Sequence, residues 1–231
     1  MSKDGGGLRV RVKTARRRTA QSTRWLDRQL NDPYVKRAKA EGYRSRAAYK
    51  LIELDERFGF LRGTRRIVDL GVAPGGWAQV ARRRLPKAAI VGIDLLPVDP
   101  IDDVVILHMD FMDDAAPDRL IEALGGAPDL VLSDMAANTV GHPQTDALRT
   151  MALVEAGLAF AVDVLEPGGA FIGKVFAGGA DSALVAELKR NFKTVKHAKP
   201  PASRKGSSEW YVVAQGFKGR AVGPVEAGDV E

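Results

Sequence analysis

Four charged residues stand where charge is expensive or needs an explanation. Lys174 interrupts an apolar run, GAFIGKVF; Asp134 ends another, DLVLSD; Glu209 opens EWYVVAQGF; and Lys50 follows SRAAY in a helical stretch. A lysine inside an otherwise apolar strand is costly to bury unless it is paired. A carboxylate beside it would both pair it and orient it. A lysine so held could take or give a proton at a reacting hydroxyl. Each residue also has a plain reading. Lys174 could snorkel to water from a strand end, and Lys50 could sit on a solvated face or touch a phosphate. Asp134 could cap a helix or turn, and Glu209 could face solvent.

A second group lies in IVDLGVAPGGWAQV, residues 67–80. An apolar run ends in an acid, and a turn with Gly71, Gly75 and Gly76 leads to Trp77. Glycines remove side chains where a ligand must approach the backbone. The turn lacks G-x-G-x-x-G and lacks the G-K-[ST] of a P-loop, so a phosphate cradle is disfavoured. The next run, AIVGID, ends in Asp94, where an acid can accept from both hydroxyls of a ribose. Asp110, followed by Phe111, ends VVILHM and could read an adenine amino group. Three successive strand ends carrying glycines, Asp94 and Asp110 suggest S-adenosylmethionine, which has ribose and adenine but no pyrophosphate. Trp77 either flanks that pocket or packs on the sheet.

Positioning such residues requires a particular frame. Strand patterns fall at 65–70, 89–94, 104–109, 129–134, 169–176, 192–198 and 209–217, with helical stretches near 76–84, 117–124, 145–165 and 180–190. Strands alternating with helices imply a mostly parallel sheet covered on both faces. The last two strands are joined by residues 199–208, too short for a crossover helix, so they should run antiparallel. The expected fold is α/β and Rossmann-like: a seven-stranded, mostly parallel sheet with one antiparallel strand and helices on both faces. A further helix should run to Phe58, with Ser45 as its N-cap and Gly59 as its stop. The expected organisation is a basic, flexible arm over 1–30, one domain over 31–218 and a tail over 219–231.

With those elements in place, the motifs RSRAAYKL, DLGVAPGGW, GIDLLPVDP, HMDF, VLSDMAANTVG, GGAFIGKVF and RKGSSEWYVVA resemble the FtsJ/RlmE-type family. These are S-adenosylmethionine-dependent ribosomal RNA 2′-O-ribose methyltransferases. The resemblance covers roughly residues 30–218, with the motifs in order. It implies a catalytic set of Lys50, Asp134, Lys174 and Glu209, and cofactor contacts at Gly75, Trp77, Asp94, Asp110 and Asp134, beside Gly71 and Gly76 of the same turn. It also implies a uridine of large-subunit (23S) ribosomal RNA as the target. Lys174 would accept the 2′-hydroxyl proton, or stay charged and steer the hydroxyl. A transfer-RNA ribose methyltransferase, or a non-catalytic RNA-binding module, would keep much of the same pattern. A cap enzyme would need an aromatic slot, and the 6% aromatic residues do not cluster.

Charge agrees with an RNA partner. Residues 1–66 hold 19 Lys/Arg against 7 Asp/Glu, a balance of +12, and the remainder holds 16 against 22, a balance of −6. A basic arm on an acidic body seeks phosphates, and Arg44 and Arg46 beside Lys50 would be its nearer contacts. The chain has no cysteine and 3 histidines, widely spaced, so no thiolate chemistry and no metal site are expected. No apolar run approaches the roughly 20 residues of a membrane span. A cytoplasmic monomer, with no membrane partner, is the expectation.

Overall fold

Each central strand carries apolar residues on both faces, and that decides the architecture. In the first strand Ile67 faces one layer and Val68 the other; Leu130 and Val131, Ile172 and Phe171, and Val213 and Val212 divide in the same way. A sheet apolar on both sides must be covered on both sides. The computed structural model describes Thr14 and residues 19–137, 143–176 and 182–220. Residues 138–141 of VLSDMAANTVG, the first residues of the helix expected from 180, most of the arm before residue 19 and most of the 219–231 tail lie outside the described residues.

In chain order the elements are α1 (Ala20–Asn31), α2 (Pro33–Glu41), α3 (Ala47–Phe58), β1 (Arg66–Leu70), α4 (Gly76–Arg84), β2 (Ala89–Asp94) and β3 (Val105–His108). There follow α5 (Ala116–Leu124), β4 (Leu130–Ser133), α6 (Pro143–Val164), β5 (Ala170–Phe176), α7 (Ser182–Asn191), β6 (Phe192–Ala198) and β7 (Glu209–Phe217). The sheet order is β3-β2-β1-β4-β5-β7-β6. All neighbours are parallel except β7, which runs antiparallel to both β5 and β6. The seven-stranded, mostly parallel sheet with one reversed strand is therefore present. Residues of α3 and α4 pack on one face; residues of α5, α6 and α7 pack on the other. Among the described residues no helix is long and apolar enough to cross a membrane.

Two local features differ from the sequence reading. The stretch expected to be an arm ends in a helix, α1, opened by Thr19, whose Oγ1 accepts the N–H of Ser22 at 3.2 Å. Its composition, AQSTRWLDRQLN, is mostly polar, and this hid the helix from a search for apolar periodicity. Ser45 is not the N-cap of α3. That position falls on Arg46, without a side-chain cap. The carbonyl of Ser45 accepts the N–H of Ala48 at 3.3 Å, winding the entry into a tight turn. Its hydroxyl is turned inward, where a Cβ on Gly76 would come within 2.6 Å. The expected stop at Gly59 is present, in the left-handed conformation at φ 68°.

Candidate active site

Strand order reverses between β1 and β4, and in open α/β sheets the crevice beyond the carboxyl ends at such a point is where ligands bind. Around it the turn after β1 folds tightly. Gly71 and Gly75 have φ of 77° and 106°, which glycine adopts at no steric cost. A Cβ on Gly71 would lie 2.8 Å from the Met135 side chain, and one on Gly75 2.7 Å from Ile101. The bare backbone is thus needed by the protein's own packing. α4 starts directly after the turn, at Gly76, and the first N–H groups of a helix have no partner within it.

Both strand-end acids beside the turn are tied to nearby backbone. Asp94 Oδ2 accepts the N–H of Ala73 at 2.8 Å, and its Oδ1 accepts that of Leu96 at 2.8 Å. Asp110 Oδ1 accepts the N–H of Met112 at 2.9 Å. The Trp77 indole is packed inside the protein. It is 3% exposed, donates to the carbonyl of Ala47 at 2.8 Å, and packs on Tyr211 with ring centroids 5.7 Å apart. What Trp77 can offer at the turn is its backbone.

On the other side of the crevice Lys50, Asp134, Lys174 and Glu209 come together from α3, the end of β4, β5 and β7. Lys174 Nζ donates to the Asp134 carbonyl at 2.6 Å and lies 3.1 Å from Asp134 Oδ1. Lys50 Nζ lies 2.9 Å from each oxygen of Glu209 and 3.7 Å from Asp134 Oδ2. The side chains of Lys174 and Lys50 are 7% and 12% exposed, so these pairs are little screened by water. Burial pushes the Asp134 carboxyl up, but the Lys174 and Lys50 ammonium groups and the Tyr211 hydroxyl more than offset it and hold the acid below its ordinary value. Every link is to a partner on another element, so the cluster exists only once the sheet has formed.

Two participants escaped the sequence reading. Tyr211 is fully buried and donates to Asp134 Oδ1 at 2.6 Å. Burial, then the charges of Asp134 and Glu209, push its hydroxyl well above its ordinary value, so it remains a donor. Its signal was present: in a strand, Glu209 and Tyr211 share one face, and Tyr211 pairs directly with Lys174 across β5 and β7. Asp69, in the middle of VDL, is 1% exposed, with Oδ2 lacking a partner. Burial first, then Asp134 and Asp94, push its carboxyl well above the usual range, against the N–H of Ala78. Arg44 and Arg46 also have partners within the chain. Arg44 donates to the carbonyls of Pro74, Asp99 and Pro100 at 3.3, 2.6 and 2.6 Å. Arg46 pairs with Asp32 at 3.1 Å and donates to the carbonyl of Ala202. Both guanidinium groups tie loops to the segment that enters α3.

Residues 43–217 match the FtsJ-like methyltransferase family, the stretch that holds all four lysine and carboxylate positions and the glycine turn. The chain belongs to the FtsJ-like methyltransferase family. It is 73% identical over 220 residues to the ribosomal RNA large subunit methyltransferase E of Rhizorhabdus wittichii, covering 95% of this chain and 96% of that one. It is 74% identical over 215 residues to the enzyme of that name from Sphingopyxis alaskensis, covering 93% and 94%. Among solved structures, a ribosomal RNA methyltransferase of Plasmodium falciparum superposes with a TM-score of 0.69 at 35% identity, over 77% of this chain and 100% of that one. As an FtsJ-like protein the chain is an α/β methyltransferase, and the crevice beside the reversed strand order is the place to look for its chemistry.

Proposed function

We propose that this enzyme moves the methyl group of S-adenosylmethionine to a ribose 2′-hydroxyl of large-subunit ribosomal RNA, at a uridine. It would act in the cytoplasm, as a monomer, on RNA within the large subunit. The observation that carries the reading is the surroundings of Lys174 Nζ. Among the described residues Nζ donates to the Asp134 carbonyl at 2.6 Å and pairs with Asp134 Oδ1 at 3.1 Å. A third position would serve an incoming hydroxyl. In the neutral amine that position is a lone pair, the acceptor that a weakly acidic 2′-hydroxyl requires. Asp134 sets the direction of Lys174, Tyr211 sets the direction of Asp134, and Glu209 holds Lys50 beside them.

The residues of the turn suit the donor. Each oxygen of Asp94 accepts one backbone N–H, which leaves each a further lone pair for a ribose hydroxyl. Asp110 would take the adenine amino group, and the N–H groups of Gly76 and Trp77 at the start of α4 would take the cofactor's carboxylate. When bound, S-adenosylmethionine supplies a methyl group on a positively charged sulfur. The chain's part is to hold the hydroxyl in line with that carbon, and alignment alone lowers such barriers substantially.

Relatives at 73% and 74% identity named for the large ribosomal subunit favour that RNA over transfer RNA. The test is to incubate the enzyme with tritiated S-adenosylmethionine and total RNA or large subunits from a strain lacking it. The expected result is label in 23S ribosomal RNA, alkali-resistant at one uridine ribose. Label confined to transfer RNA would overturn the assignment of substrate.

A further inference from the structure

α3 and its N-cap offer three side chains from one face to the segment that leads into β7. Arg46, Lys50 and Glu53 are spaced i, i+4 and i+7, which puts them on one stripe of the helix. The segment is residues 199–208, KPPASRKGSS, a composition that fixes no regular element of its own. Arg46 donates to the carbonyl of Ala202, and Glu53 Oε2 accepts the N–H of Ala202 at 2.6 Å. Both backbone groups of one loop residue are therefore held by α3. The grips are held in turn: Tyr34 donates to Glu53 Oε1 at 2.8 Å, and Arg46 pairs with Asp32 at 3.1 Å. The next residue, Ser203, closes a turn through its N–H to the carbonyl of Pro200 at 2.8 Å and is 5% exposed. Its hydroxyl donates to Glu209 Oε1 at 2.9 Å.

We propose that Ser203 is a positioning residue for methyl transfer: clamped onto α3 through Ala202, it fixes the carboxylate of Glu209 and so the place of the Lys50 amine. The proposal rests on reading Glu209 as a member of the catalytic set. A carboxylate held only by Lys50 would follow a long, flexible side chain with several rotatable bonds. A second donor from a clamped turn fixes the carboxylate independently of the lysine. The stripe thus anchors the loop at Arg46 and Glu53 and places Lys50 between them, opposite the acid the loop orients.

The test uses the full-length enzyme with Ser203→Ala, Ser203→Thr, Glu209→Ala and the Ser203→Ala/Glu209→Ala pair. It measures kcat and KM for large-subunit RNA, the Kd for S-adenosylmethionine, and the melting temperature. Ser203→Ala is expected to lower kcat about 10-fold, the scale of a lost hydrogen bond to a charged group, with the cofactor Kd unchanged. Ser203→Thr, which keeps the hydroxyl, restores most of kcat. In the Glu209→Ala background, Ser203→Ala costs nothing more, because its only route to the reaction is already gone. Wild-type kcat in Ser203→Ala with an impaired Glu209→Ala overturns the proposal and leaves the catalytic set standing. So does a further loss in the double variant, or a fall in Ser203→Thr that tracks a lowered melting temperature. A fully active Glu209→Ala removes Glu209 from the catalytic set, and the proposal falls with it.

Discussion

The two sides of the crevice are built on different plans. On the glycine-turn side, Asp94 and Asp110 are fixed by backbone N–H groups 2 to 21 residues away. On the lysine side, the links run between side chains or elements 40, 77 and 159 residues apart. The first side consists of local turns, each satisfied by its own neighbourhood. The second is a set of charges that compensate one another. Removing one member leaves another buried and unpaired, which costs more than the contact itself. Binding of the donor and transfer of the methyl group should therefore be separable by mutation.

Lys174→Ala should break the comparison most sharply. Turnover is expected to fall by about 10²–10⁴-fold, the range for loss of a general base, with cofactor binding unchanged. A tritiated-methyl assay reads the first and isothermal titration the second. If cofactor affinity collapsed as well, the two sides would be one unit.

Asp94→Ala is the converse and should have a smaller effect. Losing its acceptor oxygens should weaken S-adenosylmethionine by about 1–3 kcal/mol, with turnover recovering at saturating cofactor. An unchanged Kd would remove Asp94 from the pocket.

Asp69 lies between the two sides, and its prediction is the mildest. Its carboxyl is raised in the folded protein above its ordinary unfolded value, so folding takes up a proton. The resulting penalty is absent below the unfolded value, grows as pH rises toward the folded value, and is complete above it. Asp69→Asn removes this dependence. The variant should melt about 2–4 °C above the parent at pH 8, roughly 1 kcal/mol for a chain of this size, and the difference should vanish near pH 4. Equal melting temperatures across pH 4–8 would show that Asp69 is not carried as a buried acid.

The same division explains what the sequence made legible. All seven strands could be placed, because runs such as AIVGID and DLVLS are apolar on both faces and end at turns. The glycine turn, Asp94 and Asp110 were legible because their determinants are local. The grouping of Lys50 with Glu209 was not, since nothing in the spacing links a helix before the sheet to its last strand; it rested on resemblance to a family. Tyr211 read as a core aromatic, and it is one, but its hydroxyl reaches Asp134 only because β7 lies beside β5. Asp69 was visible as an acid, but its burial depends on layers packed from distant segments. Ser45 went the other way: its type suited a cap, and the packing of Gly76 beside it took precedence.

β7 enters the sheet between β5 and β6, and among the described residues β6 pairs with no other strand. β6 precedes β7 in the chain, and its ladder is completed by the strand that follows it. Glu209 and Tyr211 arrive on that same strand, so the cluster of lysines and carboxylates cannot close before β7 has been made. A chain halted before β7 would already own the glycine turn, Asp94 and Asp110, and would lack the two side chains that hold Lys50 and Asp134.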